Sequence, residues 1–85
     1  MYYDISQLFT RDNHTFEVRF RDGLAGKVIL AESALRGEVF EPLRDPAFFN
    51  QAYIDHGAVT WPNGADLAPD AMYEEIKKHG VWHIK

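Results

Sequence analysis

The hexapeptide TFEVRF, Thr15 to Phe20, alternates without a break. Phe16, Val18 and Phe20 stand on one side of an extended chain, Glu17 and Arg19 on the other. Such a period of two marks a half-buried strand, because successive side chains leave opposite faces of the pleat. Turn formers bound the run on both sides. RDNH (11–14) separates it from YYDISQLFT, which is rich in aromatic and β-favouring residues, and RDG (21–23) separates it from KVIL (27–30). Gly23 tolerates the positive φ that a tight turn needs. Residues 2–30 therefore predict a three-stranded antiparallel meander with one apolar face. Three strands are not stable with that face in water, so the rest of the chain must cover it.

The rest of the chain is short. Eighty-five residues allow one domain, taken here as 1–85. A chain of this size buries roughly 60–65% of its unfolded surface, which leaves a small margin of stability. Twelve aromatics compensate: six Phe, four Tyr and two Trp, each able to bury about 150–250 Å². There is no cysteine, hence no disulfide framework and no thiolate metal site. The opening MYYDISQLF lacks a basic region followed by an apolar run, so no signal peptide is expected there and a cytoplasmic location is. No apolar stretch approaches the ~20 residues that span a bilayer.

After residue 30 the period changes. AESALRG reads as a helical turn or two ending at Gly37, and VFEPLRD as extended, because Pro42 does not suit a helix interior. DPAFFNQA starts a helix, with Asp45 as N-cap and Pro46 at the first helical position. AYIDHGAVTW is two short extended pieces hinged at His56-Gly57, or one strand bulged there. A last helix runs from near Pro69 to before Gly80. Met72 and Ile76 share one face beside Tyr73, acids precede lysines along the dipole, and Gly80 serves as C′. VWHIK is a short tail docked through Trp82. The expected core is Phe16, Val18, Phe20, Val28, Leu30, Phe40, Leu43, Phe49, Ile54, Trp61 and Met72. The fold class is α+β: an N-terminal antiparallel meander packed with short helices and a C-terminal helix.

Charge is uneven. Residues 1–30 are balanced, with four bases and four acids. Residues 31–75 carry nine acids against Arg36 and Arg44, and the last ten residues carry three lysines. An acidic middle disfavours direct binding to nucleic-acid phosphates and suits a basic protein partner. Solvation of loops and helix starts is the simpler account of the same acids.

Candidate chemistry is sparse. His79 and His83 have the spacing of a helical metal pair, but Gly80 intervenes and no third ligand matches. Asp55 and His56 are sequence neighbours, and neighbours on a strand point apart, so no dyad is expected. Ser6 and Ser33 lie in no nucleophile elbow, and the glycines have no phosphate-cradling spacing. Arg19 and Arg21 flank Phe20, yet alternation sets the ring opposite both, unlike a stacking groove. No catalytic residue, metal ligand or cofactor is expected. TWPNGADLAPD, Thr60 to Asp70, is the densest local motif. Pro62-Asn63-Gly64 reads as a tight turn over Trp61, with Asp66 bonding loop N–H groups. Its other reading is a recognition loop that presents Asn63 and Asp66.

Several of these residues fall in a familiar order: Phe20, Asp22 and Gly23; Gly37; Phe40, Leu43, Asp45 and Phe49; Trp61, Pro62, Asn63, Gly64, Asp66 and Leu67; then Met72 and Tyr73. That order resembles the bacterial domain of unknown function 2442 family, over about residues 3 to 75. The resemblance implies a small α+β domain without established catalytic residues. Members stand alone, precede a helix-turn-helix domain, or belong to gene pairs that look like toxin–antitoxin modules. With the resemblance running to about residue 75 of 85, no DNA-binding extension is expected in this sequence. The functional expectation is a non-catalytic protein-binding module, antitoxin-like, with an unidentified basic partner and neither direct nucleic-acid nor membrane binding. An acidic inhibitor of a nucleic-acid-binding protein is the alternative, and a small enzyme the least favoured. The candidate partner-binding residues are Glu38, Glu41, Asn63, Asp66, Glu74 and Glu75.

Overall fold

The computed structural model describes residues 3–85. Tyr2, where the sequence reading begins the first strand, lies outside them. The meander forms as the alternation requires, as β1 (Ile5–Arg11), β2 (Thr15–Phe20) and β3 (Ala25–Leu30). β2 pairs antiparallel with both neighbours. Phe16, Val18 and Phe20 point inward with Val28 and Leu30, all buried. The outer side of the same strands carries Gln7, Phe9 and Arg11 on β1, Glu17 and Arg19 on β2, and Ala25, Lys27 and Ile29 on β3. The β1–β2 loop places Asn13 and His14 at φ 61° and 53°. His14 is held there by two contacts. Its Nε2 donates to the Arg44 carbonyl at 2.9 Å, and its ring meets Phe49 edge-on at 5.4 Å.

Residues 31–50 cover the inner face as a series of short turns. A 3-10 turn at Glu32–Ala34 leads to α1 (Gly37–Phe40), a 3-10 turn at Glu41–Arg44, and α2 (Pro46–Phe49). Gly37, at φ 86°, opens a helical turn instead of closing one. The stretch expected to be extended, VFEPLRD, is helical up to Arg44. Pro42 causes no break, because it sits in the first turn of the 3-10 segment, where the missing N–H has no obligatory partner. α2 starts as expected: the Asp45 carboxylate accepts the Ala47 N–H at 3.0 Å, and Pro46 is the first helical residue. Leu35, Leu43 and Phe49 drop from these turns into the core.

β4 (Tyr53–Asp55) and β5 (Ala58–Thr60) form a separate hairpin. Of the two conformations open to AYIDHGAVTW, the hinged pair is the one present. His56 at φ 50° and Gly57 at φ 80° make the turn, and the Gly57 carbonyl accepts the Ile5 N–H at 3.0 Å, tying the hairpin to β1.

α3 (Pro69–His79) buries Met72, Tyr73 and Ile76 and ends at Gly80, whose φ of 77° and N–H to the Ile76 carbonyl at 2.7 Å close the helix. VWHIK is more than a docked tail. Val81–Ile84 is β6, which pairs parallel with β3 and completes a sheet of order β1-β2-β3-β6. Trp82 faces inward beside Val28, and Val81 and His83 face outward. α3 lies close to the sheet at Gly26, where an added Cβ would come within 2.4 Å of Ile76 Cγ2 and 2.8 Å of the Gly80 carbonyl. The inner face is thus covered by α3 and the 31–50 turns, and the outer face by none of the helices.

The core contains nine of the eleven residues expected. Phe40 and Ile54 are only partly buried and pack at its rim. Ile5, Leu35, Val59, Ala65, Leu67, Tyr73 and Ile76 join it as well. No helix among the described residues is long and apolar enough to cross a membrane.

Candidate functional site

The Trp61–Leu67 loop is built from its own polar groups. The Gly64 N–H donates to the Trp61 carbonyl at 2.9 Å, closing a turn with Pro62 second and Gly64 fourth. The Trp61 N–H then donates to the Ala65 carbonyl at 2.8 Å. Gly64 takes the positive φ, 92°. Trp61 is fully buried beneath the turn, and its indole N–H donates to the Phe49 carbonyl at 2.9 Å. Asn63, and not Asp66 as expected from the sequence, bonds the loop backbone with its side chain. Its Oδ1 accepts the Ala65 N–H at 3.1 Å, and its Nδ2 donates to the Val39 carbonyl at 2.7 Å. Asp66 reaches the loop through its backbone, in a bridge to Thr60. Its carboxylate is exposed and makes no hydrogen bond among the described residues.

Asn63→Ala should therefore cost about 1–2 kcal/mol, since two backbone groups lose their partner. Asp66→Ala should stay within about 0.5 kcal/mol, as for a surface position. Urea midpoints of the two variants check this. The reverse ranking would return the structural role to Asp66.

A second polar contact links distant parts of the sequence. The Tyr73 hydroxyl donates to Asp22 Oδ2 at 2.5 Å across 51 positions, while Asp22 Oδ1 accepts the Leu24 N–H at 2.9 Å. The Tyr73 ring meets Phe20 edge-on at 5.0 Å and Tyr3 at 5.2 Å. The Tyr73 hydroxyl, then the Leu24 N–H, hold the Asp22 carboxyl below its ordinary pKa. A depressed carboxyl stabilises the fold above the unfolded pKa, near 3.9, and that contribution disappears as pH falls through the folded value. Denaturant midpoints followed from neutral pH to below pH ~3 should show a shallower acid decline in Asp22→Asn than in the parent. Identical acid limbs would show that the hydroxyl does not favour the ionised form.

The six candidate partner residues divide in space. Glu38 and Glu41 lie in consecutive helical turns, and with Gly37 and Pro42 they line an open hollow of about 520 Å³. Val39, between them, is 43% exposed, and its carbonyl receives Asn63. The structure thus brings Glu38, Glu41 and Asn63 to one end of the molecule. Glu74 and Glu75 sit on α3 in the turn before Lys77 and Lys78, which offset their field. Glu74 is exposed and Glu75 half-buried. Val39 is not among the sequence candidates, because a valine beside Phe40 reads as core and nothing local marks it as exposed.

Catalytic geometry is thin. Asp55 and His56 do meet, contrary to the strand argument: Asp55 Oδ1 lies 3.0 Å from His56 Nδ1. The left-handed backbone at His56 leaves the strand and turns the ring back toward its neighbour. The His56 side chain is 94% exposed, so the pair is a surface contact. A trough of about 760 Å³ lies beside the β1–β2 loop and includes Arg11, Asp12, His14, Glu32 and Asn50. His14 Nε2 is already committed to the Arg44 carbonyl there. Among the described residues, no group of three or more His, Asp or Glu is placed to hold a metal ion.

The residues that follow the family order are thus mostly engaged inside the molecule: Asp22 with Tyr73, Asp45 with the α2 N-terminus, Trp61 with Phe49, and Asn63 with its loop. No curated protein and no solved structure matches the chain. The family described as Protein of unknown function (DUF2442) matches residues 5–78. By that match, over most of its length, the chain belongs to the DUF2442 family.

Proposed function

We propose that this chain is a non-catalytic protein-binding module of the cytoplasm, the antitoxin-like member of a bacterial gene pair, and that it docks a basic partner through the α1 end. One observation carries the reading. Most of the motif's polar groups are spent on the fold, while Glu38 and Glu41 stay exposed around a shared hollow and make no ion pair among the described residues. Unspent carboxylates suit a partner that presents lysine or arginine. Asp66, Glu74 and Glu75 extend the negative field and act at longer range.

Purification of the tagged chain from its host, with mass spectrometry of what comes with it, identifies the partner. Association should then slow about tenfold or more from low to high salt, with a smaller change in dissociation, because rim charges act on encounter. Glu38→Lys with Glu41→Lys should slow it further at low salt while the domain stays folded. An association rate indifferent to salt and to both reversals would sink the proposal. Displacement of the chain by nucleic acid would move the reading to an inhibitor of a nucleic-acid-binding protein.

A further inference from the structure

β1 is an edge strand of the four-stranded sheet. The bonding of β2 fixes which of its main-chain groups are free. The Phe20 N–H donates to the Leu24 carbonyl at 2.7 Å, and the His14 carbonyl accepts the Leu30 N–H at 3.0 Å. Main-chain groups alternate in direction along a strand, so Phe16, Val18 and Phe20 turn theirs toward β3, and Thr15, Glu17 and Arg19 toward β1. The register sets these three opposite Arg11, Phe9 and Gln7. The N–H and C=O groups of Leu8 and Thr10 therefore point out of the sheet edge. Among the described residues they receive one bond, a long one from Arg11 Nη1 to the Thr10 carbonyl at 3.4 Å. Below Gln7 the edge is closed, by a bulge between Ile5 and Gln7 and by the Gly57 carbonyl on the Ile5 N–H. From Gln7 to Thr10 it carries no charge and no proline, the devices that usually keep edge strands apart. Phe9 and Tyr53 are 47% and 46% exposed, and both line an open hollow of about 370 Å³ beside this edge. The other edge strand, β6, has four residues and is followed by Lys85.

We propose that β1 pairs antiparallel with β1 of a second copy of this chain, across a two-fold axis at Phe9. The register follows from the free groups. Leu8 of each copy lies opposite Thr10 of the other, and each such pair exchanges two N–H···O=C bonds. Phe9 then faces its own counterpart in the non-bonded pair between them, where side chains stand closest and the two rings meet on one face of the sheet. Charge is compatible with this register. Each Arg11 comes opposite Gln7 of the other copy instead of a second arginine, and keeps Glu17 of its own sheet at 3.0 Å. A register that set Leu8 against Leu8 would run Arg11 against Ile5, where the β4–β5 hairpin already holds the edge. The contact is isologous, so it closes at a dimer and joins two four-stranded sheets into one. The α1 end takes no part, and the pairing does not rest on the proposed partner.

Sedimentation equilibrium of the purified chain, from micromolar to near-millimolar concentration, tests for the dimer. A single strand edge makes a small interface, so the association is weak and the upper range is needed. The weight-average mass should climb toward twice that of one chain and stop there, at low and high salt alike. Phe9→Lys puts a charge at the axis and should hold the chain monomeric, with unchanged circular dichroism because the side chain is exposed. Cross-linking tests the register, since the parent has no cysteine. Phe9→Cys brings two thiols to the axis with Cα atoms about 4.5 Å apart, within disulfide reach. In Gln7→Cys the two thiols stand about 13 Å apart along the strands. Under mild oxidation Phe9→Cys should form the covalent dimer about tenfold faster or more, because only its geometry closes the bond without backbone movement. A parent chain that stays monomeric at near-millimolar concentration overturns the proposal. Association that survives Phe9→Lys would place the contact on another surface and overturns it. Growth past the dimer, or cross-linking of Gln7→Cys as fast as Phe9→Cys, would mean a different contact and overturns it as well.

Discussion

Trp61→Ala should remove about 3–5 kcal/mol of stability, the range for truncating a fully buried Trp. A domain of this length holds only about 4–13 kcal/mol in all, so the variant should be marginal or largely unfolded at 37 °C. The mechanism has two parts. The indole packs against Phe49 at 5.7 Å and Phe16 at 6.2 Å, joining the α2 turn to β2. Its N–H also satisfies the Phe49 carbonyl at 2.9 Å, in the one hydrogen bond described between this side chain and α2. Trp61→Phe separates the two parts. It keeps most of the packing and leaves the carbonyl without its donor, which should cost about 1–3 kcal/mol. Denaturant midpoints of the three proteins measure the difference. If Trp61→Ala unfolds at the parent midpoint, the indole is not the hub of the core.

Phe20→Ala should also cost about 3–5 kcal/mol, because the ring is buried and leaves a cavity that a β-strand cannot readily close. Here the loss spreads. Phe20 meets Tyr73 edge-on at 5.0 Å, and Tyr73 donates to Asp22 at 2.5 Å. Removing the ring frees Tyr73 to move and weakens the tie between the β2–β3 turn and α3. Phe20→Ala and Asp22→Asn should therefore be non-additive: the double variant should lose less than the sum of the singles. A midpoint unchanged by Phe20→Ala would mean that β2 presents the opposite face to the core. Simple additivity would mean that the Tyr73 contact does not depend on the ring.

Elements dictated by local rules are legible in the sequence. β2 follows from alternation, α2 from Asp45-Pro46, and α3 from the Met72–Ile76 spacing and the left-handed cap at Gly80. The buried position of Trp61 follows as well, since an indole in a chain this short has few other places to go. The helical run from Gly37 to Arg44 is not legible in the same way. Pro42 breaks a helix interior but is tolerated in a first turn, and only the backbone path shows which it occupies. Asn63 takes the loop-bonding role expected of Asp66 for a similar reason. Both side chains can bond loop N–H groups, and the choice depends on which one lies beside the Val39 carbonyl.

The candidate site is legible in charge but not in shape. Glu38 and Glu41 can be found by counting acids, whereas the exposed Val39 between them cannot. Neither can the cations left over on the outer sheet face, because whether Arg11 or Arg19 pairs with Glu17 depends on strand register.

By itself the sequence determined the type of each locally coded element, the α+β class, the aromatic core and the family. These depend on periodicity, capping and residue order, all of which act within a few residues of chain or along the ordered motif. Tertiary structure decided the rest. It made Val81–Ile84 a parallel strand, because β3 offered an unpaired edge where α3 delivered the chain. It joined Asp22 to Tyr73 across 51 positions. Among the described residues it also left one sheet face without a covering helix, with Arg19 and Lys27 exposed there. Such contacts arise where separate segments meet, and no pattern within a single segment records them.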